Sequence, residues 1–189
     1  MSHIDQVVAR AFVRTNLIFK CFISRDIRTL VRAFTVYVRP IVEYASCVWS
    51  PYHVCDVTRV ESVQRSFTKR LPGYFDKDYK SRLLLLGLDS LELRRLRQDL
   101  IFTYKILFGL TNEVASDFFM ISNSEHDTRG HSYKLYPRFN RIDLRKYFFT
   151  ERIIGPWNSL PARNDNFSSL SKFKLFINSV DLSKHVSCN

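Results

Sequence analysis

The sequence predicts a mainly α-helical protein with a small β-hairpin in its second half. Apolar residues recur at helical spacing through most of the first 110 residues. An acidic, polar segment interrupts this pattern, and a basic region with alternating apolar side chains follows it. We therefore expect a helical region at residues 1–110, a linker at 111–127 and a basic, aromatic C-terminal region with mixed α and β structure at 128–189.

The first helices are predicted from apolar faces and capping residues. A helix is expected over residues 6–19, and a second begins after Ser24, a residue type that caps helix N-termini. Pro40 marks a boundary, because proline disfavours the helical conformation in the preceding residue. A further helix is expected over residues 41–49.

The next helix, over residues 57–71, is basic and amphipathic. At 100° per residue its apolar side chains fall within an arc of roughly 120°. They are Val60, Val63, Phe67 and Leu71. The basic side chains on the opposite face are Arg59, Arg65, Lys69 and Arg70. This face is either an ordinary solvated surface or a phosphate-contacting one.

The pattern continues as a short helix, a turn and a long helix. Residues 83–86 are four leucines that we interpret as core, with Gly87 as a C-cap and Ser90 as the next N-cap. The long helix extends to Gly109. Arginine near a helix N-terminus opposes the helix dipole, so the cluster there indicates an external anion or local acidic partners. The cluster consists of Arg94, Arg95 and Arg97.

The region from Thr128 to Arg152 is the second candidate for nucleic-acid contact. It contains seven basic and two acidic residues, a net +5, with six interleaved aromatic residues. Cations neutralise phosphates and exposed aromatic rings stack on unpaired bases. The candidate contact residues are Arg129, Lys134, Tyr136, Arg138, Phe139, Arg141, Arg145 and Lys146.

Within this region we expect Tyr136 and Phe139 to be exposed. The hairpin strands are predicted around residues 133–135 and 145–149. Further along, Trp157 is interpreted as an anchor that closes a core, after a helix interrupted by Gly155 and Pro156. A last helix follows the serines at 168–171.

The net charge and the spacing of the cysteines limit which classes of function fit the sequence. The chain has 29 basic and 18 acidic residues, a net +11, which favours a polyanionic partner, nucleic acid before an acidic membrane surface. The four cysteines lack the paired spacing of zinc sites, so we expect reduced thiols and no metal or cofactor. We see no signal peptide or membrane-spanning run and expect an intracellular protein, in the nucleus or cytoplasm, with no small-molecule substrate.

Four segments carry a resemblance to a known family. They are RPIVEYASCVWSP with KRLPG (within 39–73), LLLLGLDSLELRRLRQDLIFTYKILFG (83–109), RGHSYKL (129–135) and RKYFFTERIIGPWNSLP (145–161). In this order they resemble the region after the polymerase active site in reverse transcriptases of LINE-type (non-LTR, jockey-like) retrotransposons. The resemblance implies a helical, thumb-like bundle that grips the template–primer duplex, which favours the phosphate-contacting interpretation of the basic helix.

The catalytic signature of that family is missing. Such polymerases use adjacent aspartates to hold Mg²⁺, and this sequence has no Asp-Asp pair. Asp76-Lys77-Asp78 is better explained by a turn and a helix cap. We therefore expect no enzymatic activity, but a nucleic-acid-binding fragment with RNA or an RNA–DNA hybrid as its partner. The alternatives are an interaction module that needs a missing polymerase palm and a transposon remnant without a selected function.

Overall fold

The structure, a computed structural model, describes residues 2–122, 131–139 and 141–187, without the side chains of residues 143 and 144. It is mainly helical, with 64% of the described residues in helices, which confirms the predicted mainly α class. The chain forms two compact units, the first of residues 1–95 with 186–189 and the second of residues 96–185. The division into regions 1–110, 111–127 and 128–189 stays a prediction.

The larger helices lie in the first part of the chain. They are α1 (His3–Cys21), α2 (Ile27–Tyr37), α3 (Arg39–Glu43), α4 (Ser46–Trp49), α5 (Val54–Lys69), α6 (Tyr79–Leu86) and α7 (Leu91–Leu107). Shorter helices follow: α8 (Ala115–Phe118), α9 (Asp143–Lys146), α10 (Phe149–Arg152), α11 (Ile154–Asn158) and α12 (Leu170–Ser179). Short 3₁₀ turns occupy Asn164–Phe167 and Ser183–His185.

The capping residue of α2 differs from the prediction. Asp26, and not Ser24, is the N-cap, because its carboxylate accepts hydrogen bonds from both the backbone N–H and the hydroxyl of Thr29 at 2.8 and 2.7 Å. These hydrogen bonds also hold the pKa of Asp26 below its usual value. The Ser24 hydroxyl instead accepts from the Asp26 N–H, one step earlier in the loop.

The helix predicted over residues 41–49 is divided into α3 and α4. Ala45 separates them with a left-handed backbone, φ 51°. The Tyr44 carbonyl, which a continuous helix would use internally, accepts instead from Trp49 Nε1 at 2.7 Å. Pro40 lies in the first turn of α3. Backbone N–H groups in the first turn have no partner within the helix, so the N–H that proline lacks costs no helical hydrogen bond.

The core of the first unit confirms the predicted apolar face of α5. Val60, Val63 and Phe67 are fully buried, and Leu71 is 2% exposed. Phe67 stacks on Phe34 of α2 with ring centroids 4.3 Å apart.

The prediction that residues 83–86 are core is wrong for Leu84 and Leu85, whereas Leu86 is half-buried and packs against the core of the first unit. Leu84 and Leu85 are 84% and 58% exposed. The inward face of α6 is taken by Arg82, which is 4% exposed and donates to the Thr68 hydroxyl at 3.1 Å. Because Leu84 lies about 200° around the helix from Arg82, it projects outward. The end caps are confirmed: Asp78 accepts from the Ser81 N–H at 3.1 Å, and Gly87 has φ 61°.

The second unit is built around Trp157, which is fully buried and confirms the predicted anchor. Its Nε1 donates to the Tyr133 carbonyl at 2.7 Å. The prediction that Gly155 and Pro156 interrupt the helix is wrong, since α11 includes both. Pro156 is the third residue of α11, where backbone N–H groups have no partner within the helix.

The predicted hairpin is not seen in the part of the chain that the structure describes. Leu135 forms an isolated antiparallel bridge with Ile121, and residues 145–149 lie in α9, α10 and the turn between them. On its other side, the Leu135 N–H and C=O both bond to the side-chain amide of Asn158, each at 2.8 Å. Both edges of this extended segment are therefore occupied, which leaves no edge for a hairpin partner.

Candidate nucleic-acid interface

The first predicted surface lies on the outer side of α5. We call it the α5 basic face and define it as the side chains of Arg59, Arg65, Lys69 and Arg70. All four are exposed. Arg65 and Lys69 lie opposite the buried apolar arc, whereas Arg59 and the C-cap residue Arg70 lie at the edge of the basic face that is next to α1.

Two of these cations are held against α1. Arg59 Nη1 lies 2.5 Å from Asp5 Oδ1 and 3.9 Å from an Asp56 carboxylate oxygen, so its charge is partly compensated. Arg70 Nη1 donates to Asn16 Oδ1 at 2.7 Å, and its guanidinium carbon lies 4.1 Å from the centroid of the Phe19 ring.

The other two cations lie over aromatic rings on the opposite side. The guanidinium carbon of Arg65 is 4.9 Å from the Tyr79 centroid, and Lys69 Nζ is 4.8 Å from the Phe75 centroid. Cation–π contacts position a cation without neutralising it. Among the described residues, no carboxylate pairs with Arg65 or Lys69, so their charges are available to an external anion.

A buried polar network lies under this face and was not predicted from the sequence. Glu61, also on α5, is fully buried. It accepts from the Tyr79 hydroxyl, from the Leu91 N–H at 3.1 Å and from the Glu92 N–H at 3.2 Å. Burial, followed by the Glu61 charge, raises the pKa of Tyr79, so the hydroxyl remains a donor. The carboxylate thus caps the positive end of α7.

A weak signal for this network exists in the sequence. At 100° per residue, Gln64, Thr68 and Glu61 fall at about 340°, 20° and 40° from Val57. They therefore continue the apolar arc as a polar stripe, and the structure buries all three. The helical plot alone places Glu61 near the edge of the basic face, where it would be the only acidic residue.

The second predicted surface is distributed unevenly. Arg141, Arg145 and Lys146 are exposed, whereas Lys134 and Arg138 are half-buried. Arg129 lies outside the described residues.

The two aromatic residues of this region that were predicted to be exposed are exposed in the structure. Tyr136 and Phe139 are 55% and 91% exposed, which confirms that both face solvent.

Arg152, counted in the basic region, points inward: its Nε and Nη2 donate to Asp99 Oδ2 at 3.0 and 2.9 Å.

For the arginine cluster at the start of α7, a local acidic partner is found. Arg94 donates through Nε and Nη2 to the two oxygens of Glu43 at 2.5 and 3.0 Å. This bidentate pair raises the pKa of Arg94, with the hydrogen bond to Glu43 as the main cause. Arg95 is 2% exposed, so neither side chain is presented to an external anion in the way the α5 basic face is.

Within 2–122, 131–139 and 141–187, no group of three or more His, Cys, Asp or Glu side chains could hold a metal ion. Over the same ranges, no helix combines the length and apolar character needed to cross a bilayer. Cys21, Cys47 and Cys55 are free thiols.

Comparisons with protein-family models, with curated proteins and with solved structures found no match. The resemblance to LINE-type reverse transcriptases therefore stays a prediction from the sequence motifs.

Proposed function

We propose that this chain is a non-catalytic nucleic-acid-binding piece of a LINE-type reverse transcriptase, corresponding to its thumb and C-terminal region. It binds RNA or an RNA–DNA duplex with little sequence selectivity, within the nucleus or cytoplasm. The observation that carries the proposal is the α5 basic face, whose four cations are exposed on one helix surface. The thumb-like bundle and a small α+β part, with the antiparallel pairing of Ile121 and Leu135 as its β element, belong to the same proposal.

The length of the α5 basic face suits a nucleic-acid backbone. Arg59 and Arg70 are eleven residues apart, which is about 16 Å along the helix axis. That distance corresponds to roughly five steps along one strand at 3.4 Å per step. The face therefore contacts several successive phosphates, and each neutralised phosphate releases counterions and adds to the salt dependence of binding.

The second surface supplies a different kind of contact. Tyr136 and Phe139 are exposed among basic residues, and Arg141 and Arg145 are exposed nearby in the sequence. Aromatic rings stack on unpaired bases of any identity, at roughly 1–3 kcal/mol per base. This surface therefore suits single-stranded nucleotides.

Charge reversal tests the first surface. We expect Arg65→Glu/Lys69→Glu to weaken binding of a labelled RNA hairpin and of its DNA–RNA counterpart. The salt slope should fall by about 2, one for each phosphate that the protein no longer neutralises. The matched control is Lys172→Glu/Lys174→Glu, which makes the same charge change on exposed residues of α12. Equal losses of affinity in the two variants would show that only net charge matters and would refute the α5 basic face.

The second surface is tested in the same assay. Charge reversal at Arg138, Arg141 and Arg145 should flatten the salt slope further. An unchanged slope would remove the second surface from the proposal and leave the first in place.

A second candidate function is favoured by the exposed leucines of α6. Leu84 and Leu85 are 84% and 58% exposed, and Phe75 is 67% exposed. Such side chains suit an interaction module that docks on the missing catalytic part of a polymerase. Concentration-dependent association that Leu84→Glu/Leu85→Lys abolishes would support it, whereas a monomer without nucleic-acid binding would favour a remnant with no selected function.

A further inference from the structure

A basic depression of about 760 Å³ lies in the first unit, where the C-terminal half of α1 meets the end of α5. Its size is within the roughly 300–1,000 Å³ that is common for ligand pockets. The residues that line it are Val13, Asn16, Leu17, Phe19, Lys20, Arg25 and Arg70. Only Arg70 was among the residues predicted to bind nucleic acid.

The charge of this depression has one sign. Lys20, Arg25 and Arg70 supply three cations, and none of the described residues lining it is acidic. Asp26 is adjacent to Arg25 in the chain, but its carboxylate is engaged in capping α2 through Thr29. A concave surface lined by like charges focuses the electrostatic field and concentrates anions.

Arg70 is held in place before any ligand arrives. Asn16 accepts one of its N–H groups at 2.7 Å, and its guanidinium lies 4.1 Å from the Phe19 ring centroid. A guanidinium has five N–H donors, so the others remain for an anion. Because the side chain is already ordered, less conformational entropy is lost when the anion binds.

The remaining wall is apolar. Val13 and Leu17 lie one helical turn apart on α1 and are 59% and 42% exposed. Exposed aliphatic side chains next to a cationic site provide a surface on which a flat ring can be buried. The depression thus combines three cations that suit a phosphate with an apolar wall that suits a flat ring.

We propose that this depression binds a nucleotide, with its phosphoryl group held by Lys20, Arg25 and Arg70 and its base against Val13 and Leu17. The site deepens the proposed function, since it gives the nucleic-acid surface a specific place for a phosphorylated strand end. A free nucleoside monophosphate has the same chemistry, so the experiment distinguishes the two sources.

The test compares phosphorylated with unphosphorylated probes on the full chain. In one arm, adenosine 5′-monophosphate and adenosine are titrated and followed by NMR shifts of the Arg and Lys side chains. In the other, the labelled RNA hairpin carries a single-stranded 5′ end with or without a terminal phosphate. The variant is Lys20→Ala/Arg25→Ala, and the matched control is Lys172→Ala/Lys174→Ala, with the same charge change in the second unit.

We expect the 5′-phosphate to strengthen hairpin binding by about tenfold or more, and this gain to vanish in Lys20→Ala/Arg25→Ala but not in the control. Adenosine 5′-monophosphate shifting the same side chains, without an effect of the phosphate on the hairpin, would identify the free nucleotide as the ligand. No preference for phosphate in either arm would overturn the site. Salt-dependent hairpin binding without that preference would leave the proposed function intact, so the two failures are distinguishable.

Discussion

Replacement of the buried Glu61 should strongly lower the stability of the first unit. Its carboxylate accepts three hydrogen bonds, from the Tyr79 hydroxyl and from the backbone N–H groups of Leu91 and Glu92. Glu61→Ala leaves all three donors without this acceptor, and Leu91 is fully buried. Among the described residues, the Tyr79 hydroxyl then keeps the Gln64 amide, which itself donates to it at 3.1 Å.

The magnitude follows from these contacts. Loss of a helix cap costs about 1 kcal/mol, and each buried donor left without a partner costs about 1–3 kcal/mol. We therefore expect Glu61→Ala to lower the free energy of unfolding by about 3–5 kcal/mol, a large part of the roughly 5–15 kcal/mol of a typical domain. Glu61→Gln keeps one acceptor oxygen and should cost about half as much.

The assay is urea denaturation followed by circular dichroism, with hydrogen exchange to locate the loss. The amides of α5 and of the first turns of α7 should lose protection together. Glu113→Gln, at an exposed glutamate, is the control. A loss below about 1 kcal/mol for Glu61→Ala would refute the capping role, since it lies within the range of ordinary surface changes.

Three further predictions concern the second unit, with urea denaturation and hydrogen exchange as the measurements. Arg152→Met removes both donors to Asp99 Oδ2 and should cost about 3 kcal/mol; a neutral effect would refute the inward ion pair. Asn158→Ala removes both hydrogen bonds to the Leu135 backbone and should cost about 2 kcal/mol, with lost protection around residue 135. Burial lowers the pKa of His131, so below about pH 6.5 the unfolded chain binds a proton that the folded chain does not. Stability should therefore fall as pH drops below that value, by at most about 1.4 kcal/mol per pH unit, and His131→Gln should remove this dependence.

Local periodicity accounts for what could be predicted of the fold. The apolar arc of α5 was predicted correctly because burial of Val60, Val63 and Phe67 follows from spacing alone. The four leucines at 83–86 carry no such directional pattern. Which side of α6 faces inward is decided by the hydrogen bonds of Arg82 to Thr68 and to the backbone of α5, and these depend on tertiary contacts.

In the candidate site, too, some positions could be predicted from helical periodicity and others depend on tertiary contacts. The exposed positions of Arg65 and Lys69 follow from the helical plot, whereas the inward position of Glu61 depends on partners 18 to 31 residues further along the chain. The basic depression was not predicted, because Lys20 and Arg25 approach Arg70 only once α1 packs on α5. Residues far apart in sequence share one site here, and a single sequence without a fold gives no signal for such an arrangement.

The most direct test of the central claim is a salt titration of the purified chain binding the labelled RNA hairpin. If about six phosphates are neutralised, log K should fall with log salt at a slope near −5, a loss of roughly 10³ in affinity between about 50 and 200 mM salt. Saturable binding with that slope would establish the chain as a nucleic-acid-binding module. A folded, monomeric sample that does not bind the hairpin at about 50 mM salt would contradict the account, since electrostatic binding is strongest at low salt.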